Sequence, residues 1–271
     1  MPFTLIKGKF MPGTGLPDGD SVRFKPNNPK LLNELEGVKA KLAKGGNTMG
    51  SVQLRFEGID AIEKGATKPL SVLAKENMLK LIGYDSGTNP EPEGYVLARM
   101  TDPNGRPLAY VFAGSTARTD GSDVFLDAAT LGTSVNYKQM LAGFAYPMYY
   151  NTLFAVLREK FNQALNMAKQ HNRGYWSVDK TLLGVSVTDK SSLATINPVW
   201  PKIWRRLEEF LEDQNSLDTF SDWLQQKNER VILIKQADEI GLADIIKVQG
   251  KKVKMLQPPE NLMVVTAIKR R

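Results

Sequence analysis

The chain of 271 residues contains no cysteine and a single histidine, His171. The absence of cysteine excludes disulfides, thiolate nucleophiles and cysteine-ligated zinc sites. One histidine excludes metal sites built on histidine pairs and makes a serine–histidine–aspartate triad improbable, since only one position could serve. His171 lies near the end of a predicted helix among polar neighbours, where a solvated side chain is expected. Most hydrolytic chemistry that depends on thiols or imidazoles is therefore excluded.

The sequence also lacks a long hydrophobic run. No apolar stretch is long enough to span a bilayer, so we expect no membrane partner. The N-terminal segment MPFTLIKGKF has a strand-like pattern and lacks the apolar region and small-residue cleavage site of a signal peptide. We therefore expect a cytoplasmic protein, with a secreted mature form as the alternative.

Basic residues outnumber acidic ones, 36 against 29, which gives a formal net charge of +7 and a pI of about 9.4. This balance favours polyanionic partners such as nucleic acid. Moderately basic globular proteins are common, however, so the charge alone does not identify the partner.

Hydropathy patterns over the first two thirds of the chain predict short strands followed by helices. The strands are expected at 3–10, 20–24, 51–59, 94–100 and 107–113, and the helices at 29–43, 68–82, 134–143 and 151–171. Residues 114–132 are rich in Gly, Ser, Thr and Asp and are typical of a loop or an irregular hairpin. The order predicts an α+β fold in which helices pack on a small β-barrel, with residues 26–50 as an insertion.

The pattern changes after Trp176, where a connector leads into a second region. A helix is expected to begin at Asn197 and Pro198, followed by a helix at 216–227, strands at 231–235, 244–249, 252–256 and 262–268, and a basic tail at 269–271. We interpret 1–179 as one domain and 190–271 as a separate small α+β module. The module could set substrate access, self-association or the choice of a protein partner.

Three separated segments carry the charged residues that could perform chemistry. They are PDGDSVRF (17–24), LRFEGIDAIE (54–63) and NGRPLAY (104–110). Phosphodiester hydrolysis requires a deprotonated water and neutralisation of the growing phosphate charge. Carboxylates hold hard divalent cations, glutamate can act as a base, and the planar fork of arginine matches phosphate. Each segment alone is ordinary, since DG and NG pairs form hairpin turns and strand arginines are usually at the surface.

Taken in order, the set resembles the thermonuclease family, the domains similar to staphylococcal nuclease. The resemblance rests on Asp18-Gly19-Asp20-Ser21, then Arg55, Asp60 and Glu63, then Gly105-Arg106-Pro107-Leu108-Ala109-Tyr110. It continues in Val135-Asn136, Gly143-Phe144-Ala145, Ala168-Lys169 and Trp176-Ser177, and covers about residues 3–179. It implies a five-stranded OB-fold barrel with packed helices. It also implies a Ca²⁺-dependent nuclease that acts on DNA, with RNA as a further substrate, and leaves 3′-phosphate ends.

The resemblance also implies a role for individual residues. Asp20 and Asp60 would bind Ca²⁺, or another divalent cation, helped by the backbone carbonyl of Ala61. Glu63 would be the general base or would orient the water, while Arg55 and Arg106 would clamp the scissile phosphate. Tyr149 and Tyr150 fall near the base-stacking tyrosines of the family, with burial in the core as the alternative.

The chain departs from the family pattern at a few positions. Ala61 stands where the family often has Thr, and Ile62 where it often has Pro. Pro103 and Asn104 replace a lysine–tyrosine pair, which puts the family's contacts to a terminal phosphate in doubt. Residues 26–50 and 114–132, as insertions, could reshape or cover the groove.

Two alternative hypotheses, in which the protein is not primarily an enzyme, stay open. One is a catalytically weak OB-fold scaffold that binds nucleic acid, and the other is an interaction protein that acts through the C-terminal module. Degenerate nuclease-like scaffolds typically lose the carboxylates and arginines. All five charged residues are present here, which favours the enzyme.

Overall fold

The computed structural model describes residues 2–214 and 216–265, and within them the chain is a mixed α+β protein. The six α-helices of this part are α1 Leu70–Leu81, α2 Ala128–Leu131, α3 Val135–Leu141, α4 Ala155–Gln170, α5 Pro201–Phe210 and α6 Phe220–Gln226. None of them is long and apolar enough to cross a membrane.

Fifteen strands occur in the described residues. They are β1 Phe3–Phe10, β2 Arg23–Pro26, β3 Val52–Gln53, β4 Arg55–Phe56, β5 Gly58–Asp60, β6 Glu93–Thr101, β7 Pro107–Ala113, β8 Asp123–Val124, β9 Tyr146–Met148, β10 Val185–Ser186, β11 Arg230–Leu233, β12 Asp238–Gly241, β13 Ile246–Gln249, β14 Lys252–Met255 and β15 Leu262–Val264. They form one large sheet and three small ones.

The large sheet nearly closes into a barrel. Its strand order is β3-β2-β1-β6-β7-β4, with β8 added beside β1. Only Leu54 separates β3 from β4, so the two ends of this order are neighbours in the chain. The β4–β7 pairing is parallel, with Arg55 opposite Leu108, and the other pairings of the sheet are antiparallel. The apolar side chains of these strands form the first core cluster, which α3 and α4 cover.

A second apolar cluster joins the two halves of the chain. It combines Tyr146 and Met148 of β9 and Tyr175 with C-terminal residues such as Trp200 and Leu207. The indole Nε1 of Trp200 donates to the carbonyl of Pro147 at 3.0 Å. Residues beyond position 190 therefore pack directly against the part of the chain that holds β5 and β9.

The structure corrects several predicted boundaries. The predicted helix over 29–43 is wrong: only Pro29–Asn33 forms a 3₁₀ turn, and Gly37 has φ of +94°. The helix predicted from Asn197 begins at Pro201, and residues 197–200 belong to no helix or strand. The strand predicted at 20–24 lies at 23–26, and 114–132 contains β8 and α2. The strand predicted at 262–268 is described to Val264, and the basic tail lies outside the described residues.

Candidate active site

One cleft of about 810 Å³ collects charged residues from all three sequence segments. The predicted site residues that line it are Asp20, Arg55, Asp60, Ala61, Glu63, Arg106 and Tyr150. Gly37 and Val38 of the segment 26–50 form part of its wall, as do the α5 residues Lys202, Arg205 and Arg206. The cleft thus lies between the barrel and the C-terminal elements.

The turn before β2 places Asp20 beside the end of β5, the strand that carries Asp60. The backbone N–H of Asp20 donates to Asp18 Oδ1 at 3.1 Å, and the carbonyl of Asp20 accepts from Phe56 N–H. Gly19 is needed here because a Cβ at this position would lie 2.6 Å from the Cβ of Ala61. This close approach lets the N–H of Ala61 donate to Asp20 Oδ2 at 3.2 Å.

The bend between β4 and β5 brings Arg55 and Asp60 to the same place. Gly58 has φ of +80°, and a Cβ there would lie 2.4 Å from the ring of Phe161, so only glycine fits the bend. After the bend, β5 leaves the barrel and pairs with β9, with Asp60 opposite Tyr146. Arg55 Nη2 then donates to Asp60 Oδ1 at 3.0 Å, while Arg55 Nη1 lies 3.9 Å from Asp20 Oδ2.

The two aspartates have opposite electrostatic environments. Burial and the neighbouring Asp18 raise the pKa of Asp20 well above its usual value, against the opposing effect of Arg55. Burial alone would also raise the pKa of Asp60, but Arg205 and Arg55 outweigh it, so this pKa lies below its usual value. The two arginines therefore stabilise the charged form of Asp60, whereas burial and Asp18 disfavour the charged form of Asp20.

Arg205 of α5 completes the cluster, and sequence reasoning missed it. Its Nη1 and Nη2 donate to Asp60 Oδ1 at 3.1 Å and Oδ2 at 2.7 Å, and Nη1 also donates to Glu63 Oε1 at 2.5 Å. Burial raises the pKa of Glu63 above its usual value, and Arg205 partly offsets this effect. The pairs join residues 142 and 145 positions apart, so the local pattern around α5 gives no signal of the contact.

Arg106 reaches the cleft but is held by its own turn. Asp102 accepts from the backbone N–H of Arg106 at 2.9 Å and from its Nε at 2.7 Å. The guanidinium therefore faces the cleft with its charge already paired. Sequence reasoning missed Asp102, although an aspartate three residues before Gly105 at a tight turn is a recognisable signal.

The two predicted stacking tyrosines occupy different environments. Tyr149 is 1% exposed, and its hydroxyl donates to Asn162 Oδ1 at 2.8 Å, so its ring is part of the core in this structure. Tyr150 is half-buried and lines the cleft. Tyr150 therefore borders the candidate site, whereas Tyr149 is buried, which was the alternative expected from the sequence.

A scan against protein-family models and a search of curated proteins both find no match.

The donor chemistry of the cleft fits a hard divalent cation. Asp20 and Asp60 supply carboxylate oxygens, and the buried, under-compensated carboxylate of Asp20 favours a nearby positive charge. The predicted ligands include only two acidic side chains. Residues 2–214 and 216–265 contain no group of three or more His, Cys, Asp or Glu placed to hold a metal ion. Both oxygens of Asp60 already accept from arginines, so a cation would have to share or displace these contacts.

Proposed function

We propose that the chain is a Ca²⁺-dependent nuclease, similar to the thermonucleases, that hydrolyses phosphodiester bonds of DNA and also of RNA and leaves 3′-phosphate ends. The observation that carries the proposal is that Asp20, Arg55, Asp60, Glu63 and Arg106, from three separate segments, line a single cleft. Chance turns and surface charges would not be expected to converge in this way.

We also propose that the barrel is a five-stranded OB-fold. If β3 and β4 are counted as one interrupted strand, the barrel has five segments, which in chain order are β1, β2, β3 with β4, β6 and β7. Around the barrel, the neighbouring segments follow the closed order first, second, third, fifth, fourth and back to the first. The only parallel pairing on that path joins the third segment to the fifth. This connectivity supports the proposal, and it places Asp60 just beyond the third segment.

The proposed roles are those that the family resemblance implies, and the shared cleft supports them. Asp20 and Asp60 would hold the cation, which supplies charge neutralisation for the phosphate and a more acidic water. Glu63, at the rim of the cleft, would accept a proton from the attacking water. Arg55 lies among the acids, where its guanidinium can bind a phosphate oxygen, and Arg106 would exchange part of its pairing with Asp102 for the phosphate.

The charge of the cleft explains why a polyanion would need the cation. Six carboxylates and five basic side chains line the cleft, so one negative charge is in excess when all of them are ionised. The acids are Asp18, Asp20, Asp60, Glu63, Asp102 and Glu229, and the bases are Arg55, Arg106, Lys202, Arg205 and Arg206. A bound divalent cation would reverse the sign of the cleft and favour a phosphodiester.

A catalytically weak nucleic-acid-binding scaffold is the second candidate, and the pairing of Arg205 favours it. Arg55 and Arg205 both pair with Asp60, and Arg205 also pairs with Glu63, so these two acids have positive partners without a cation. In that case the acids would stabilise the contact between the two halves of the chain and would perform no chemistry.

Cleavage by the wild type and by Glu63→Gln separates the two candidates. Single-stranded DNA, double-stranded DNA and RNA would be incubated with Ca²⁺, with Mg²⁺ and with chelator. We expect Ca²⁺-dependent cutting that falls by about a thousandfold in Glu63→Gln, since the amide cannot accept the proton of the water. Binding of DNA should persist in the variant.

Glu91→Gln is the matched control, because Glu91 is exposed and lies outside the cleft. The Glu91→Gln variant should cut at the wild-type rate. The fragments produced by the wild type and by this variant should both carry 3′-phosphate ends. Binding of DNA without cutting by the wild type under every condition would reject the nuclease in favour of the scaffold.

A further inference from the structure

The guanidinium of Arg205 occupies the acid side of the cleft. It contacts both carboxylate oxygens of Asp60 and one oxygen of Glu63. These are the two acids to which the proposed function assigns cation binding and proton transfer. A fork of this kind, with several charge-assisted hydrogen bonds, is among the stronger polar contacts in proteins.

The packing of α5 determines the position of Arg205. Two buried indoles fix the helix: Trp200 Nε1 donates to the carbonyl of Pro147, and Trp204 Nε1 donates to the carbonyl of Leu193, both at 3.0 Å. Arg205 follows directly after Trp204 and points to the acids. The contact is therefore built into the fold by the C-terminal part of the chain.

The neighbouring basic residues of α5 have a different partner. Lys202 Nζ donates to Glu229 Oε1 at 2.5 Å, and Arg206 Nε donates to Glu229 Oε2 at 2.6 Å. Both line the same cleft as Arg205. Arg206 thus offers a positive charge at nearly the same place on the helix that does not pair with the acids of the site.

The two sides of the contact differ in their freedom to move. The side chain of Arg205 is 31% exposed, whereas that of Asp60 is 1% exposed. The long arginine side chain can turn toward solvent while its backbone stays in the helix. Asp60 is fixed by burial and by β5, so any rearrangement of the contact falls on Arg205.

A cation held by Asp60 would lie beside the guanidinium that now pairs with both oxygens of Asp60. The positive charges of the cation and of the guanidinium would repel each other, and this repulsion is stronger in a partly buried cleft than in water. We propose that Arg205 competes with the divalent cation for Asp60 and Glu63 and thereby sets the cation affinity of the site. This inference rests on the proposed function, and it gives the C-terminal region a role in the same site.

Calcium chloride titrated calorimetrically into the full chain, without nucleic acid and at pH 8, tests the inference directly. Arg205→Gln removes the charge and the fork, and its dissociation constant for Ca²⁺ should fall at least tenfold. Arg206→Gln removes a charge that pairs with Glu229, and its constant should stay within twofold of the wild type. The comparison separates the specific contact from a general loss of positive charge.

Arg205→Lys provides a second variant that keeps the charge but cannot form the planar fork. Its dissociation constant should fall between those of the wild type and Arg205→Gln, and it replaces Arg205→Gln if circular dichroism shows that the latter is unfolded. If the wild type binds Ca²⁺ and the folded Arg205 variants bind it equally or more weakly, the inference is overturned and the proposed function is not. Absence of Ca²⁺ binding in the wild type and in the variants overturns the inference and the proposed function together.

Discussion

Glu57 is a buried acid beside the proposed site that the mechanism does not use. Its side chain is 8% exposed, and its Oε1 has no hydrogen-bond partner among the described residues. Burial raises its pKa to about 7, against the opposing charges of Arg55 and Arg99. Because the unfolded chain releases this proton near pH 4.5, the folded state binds it more tightly.

The pH dependence of stability should reveal this acid. The contribution of Glu57 is fully present below about pH 4.5 and is lost as the pH rises through about 7. Glu57→Gln keeps the shape without the charge, so it should be more stable than the wild type at pH 8 by about 2–3 kcal/mol. At pH 5 the two should be nearly equal. Urea unfolding at pH 5, 6, 7 and 8 measures the difference.

Glu76→Gln, at an exposed position of α1, is the matched control and should follow the wild-type pH curve. A constant difference between Glu57→Gln and the wild type from pH 5 to pH 8 would show that Glu57 does not titrate near 7. Other shifted acids, such as Asp20, cancel in this comparison because both proteins contain them.

At the level of residues, the sequence predicts which side chains line the cleft better than it predicts which of them form ion pairs. The ordered motifs anticipated that Asp20, Asp60 and Glu63 would meet, because strand ends and turns carry them toward one place. The pairing of Asp60 with Arg205 could not be predicted, since it depends on how α5 packs more than 140 residues away. Burial of Tyr149 beside the partly exposed Tyr150 also depends on packing rather than on the local pattern.

Asn136 is the polar residue that fastens α3 to the barrel. It is fully buried, accepts from Val111 N–H at 2.9 Å, and donates through Nδ2 to the carbonyls of Glu57 and Ala109. These groups belong to β7 and to the bend before β5. The side chain therefore satisfies three backbone groups where a helix crosses the parallel pair of strands.

Asn136→Ala should lower the free energy of unfolding by about 3 kcal/mol, because it leaves buried backbone groups without partners. Lys138→Ala, two residues along the same helix and exposed, should change it by less than about 0.5 kcal/mol. Thermal and urea unfolding of the three proteins gives the comparison. An Asn136→Ala variant as stable as the Lys138→Ala control would mean that water replaces the lost hydrogen bonds.

At the level of elements, the predictions worked where apolar residues were continuous along a strand or recurred at helical spacing. The strands at 3–10 and 107–113 have the predicted bounds, and the helices at 68–82 and 151–171 differ by a few residues at their ends. The segment 29–43 failed because its leucines enter the core from a short turn rather than from one helix face. Gly37, with positive φ and close to Thr101, breaks any helix there.

At the level of the whole molecule, the two halves of the chain share part of their core. The sequence indicated a change of character after Trp176 and suggested a separate module. In the described structure, one apolar cluster draws residues from both sides of 179–190. Trp200 is central to it, 1% exposed and hydrogen-bonded to Pro147. Such a shared core is expected to couple the unfolding of the barrel to that of the C-terminal elements.

Trp200→Ala should therefore destabilise both halves, by about 4 kcal/mol, the usual cost of deleting a large buried ring. Native-state hydrogen exchange can measure the opening free energies of amides in β1 and in β14 separately. Both should fall by the same amount in Trp200→Ala, and neither should change in the exposed control Lys190→Ala. If the β1 amides kept their wild-type protection while those of β14 lost theirs, the halves would be independent units. The contact of Arg205 with the acids would then depend only on the docking of the C-terminal part.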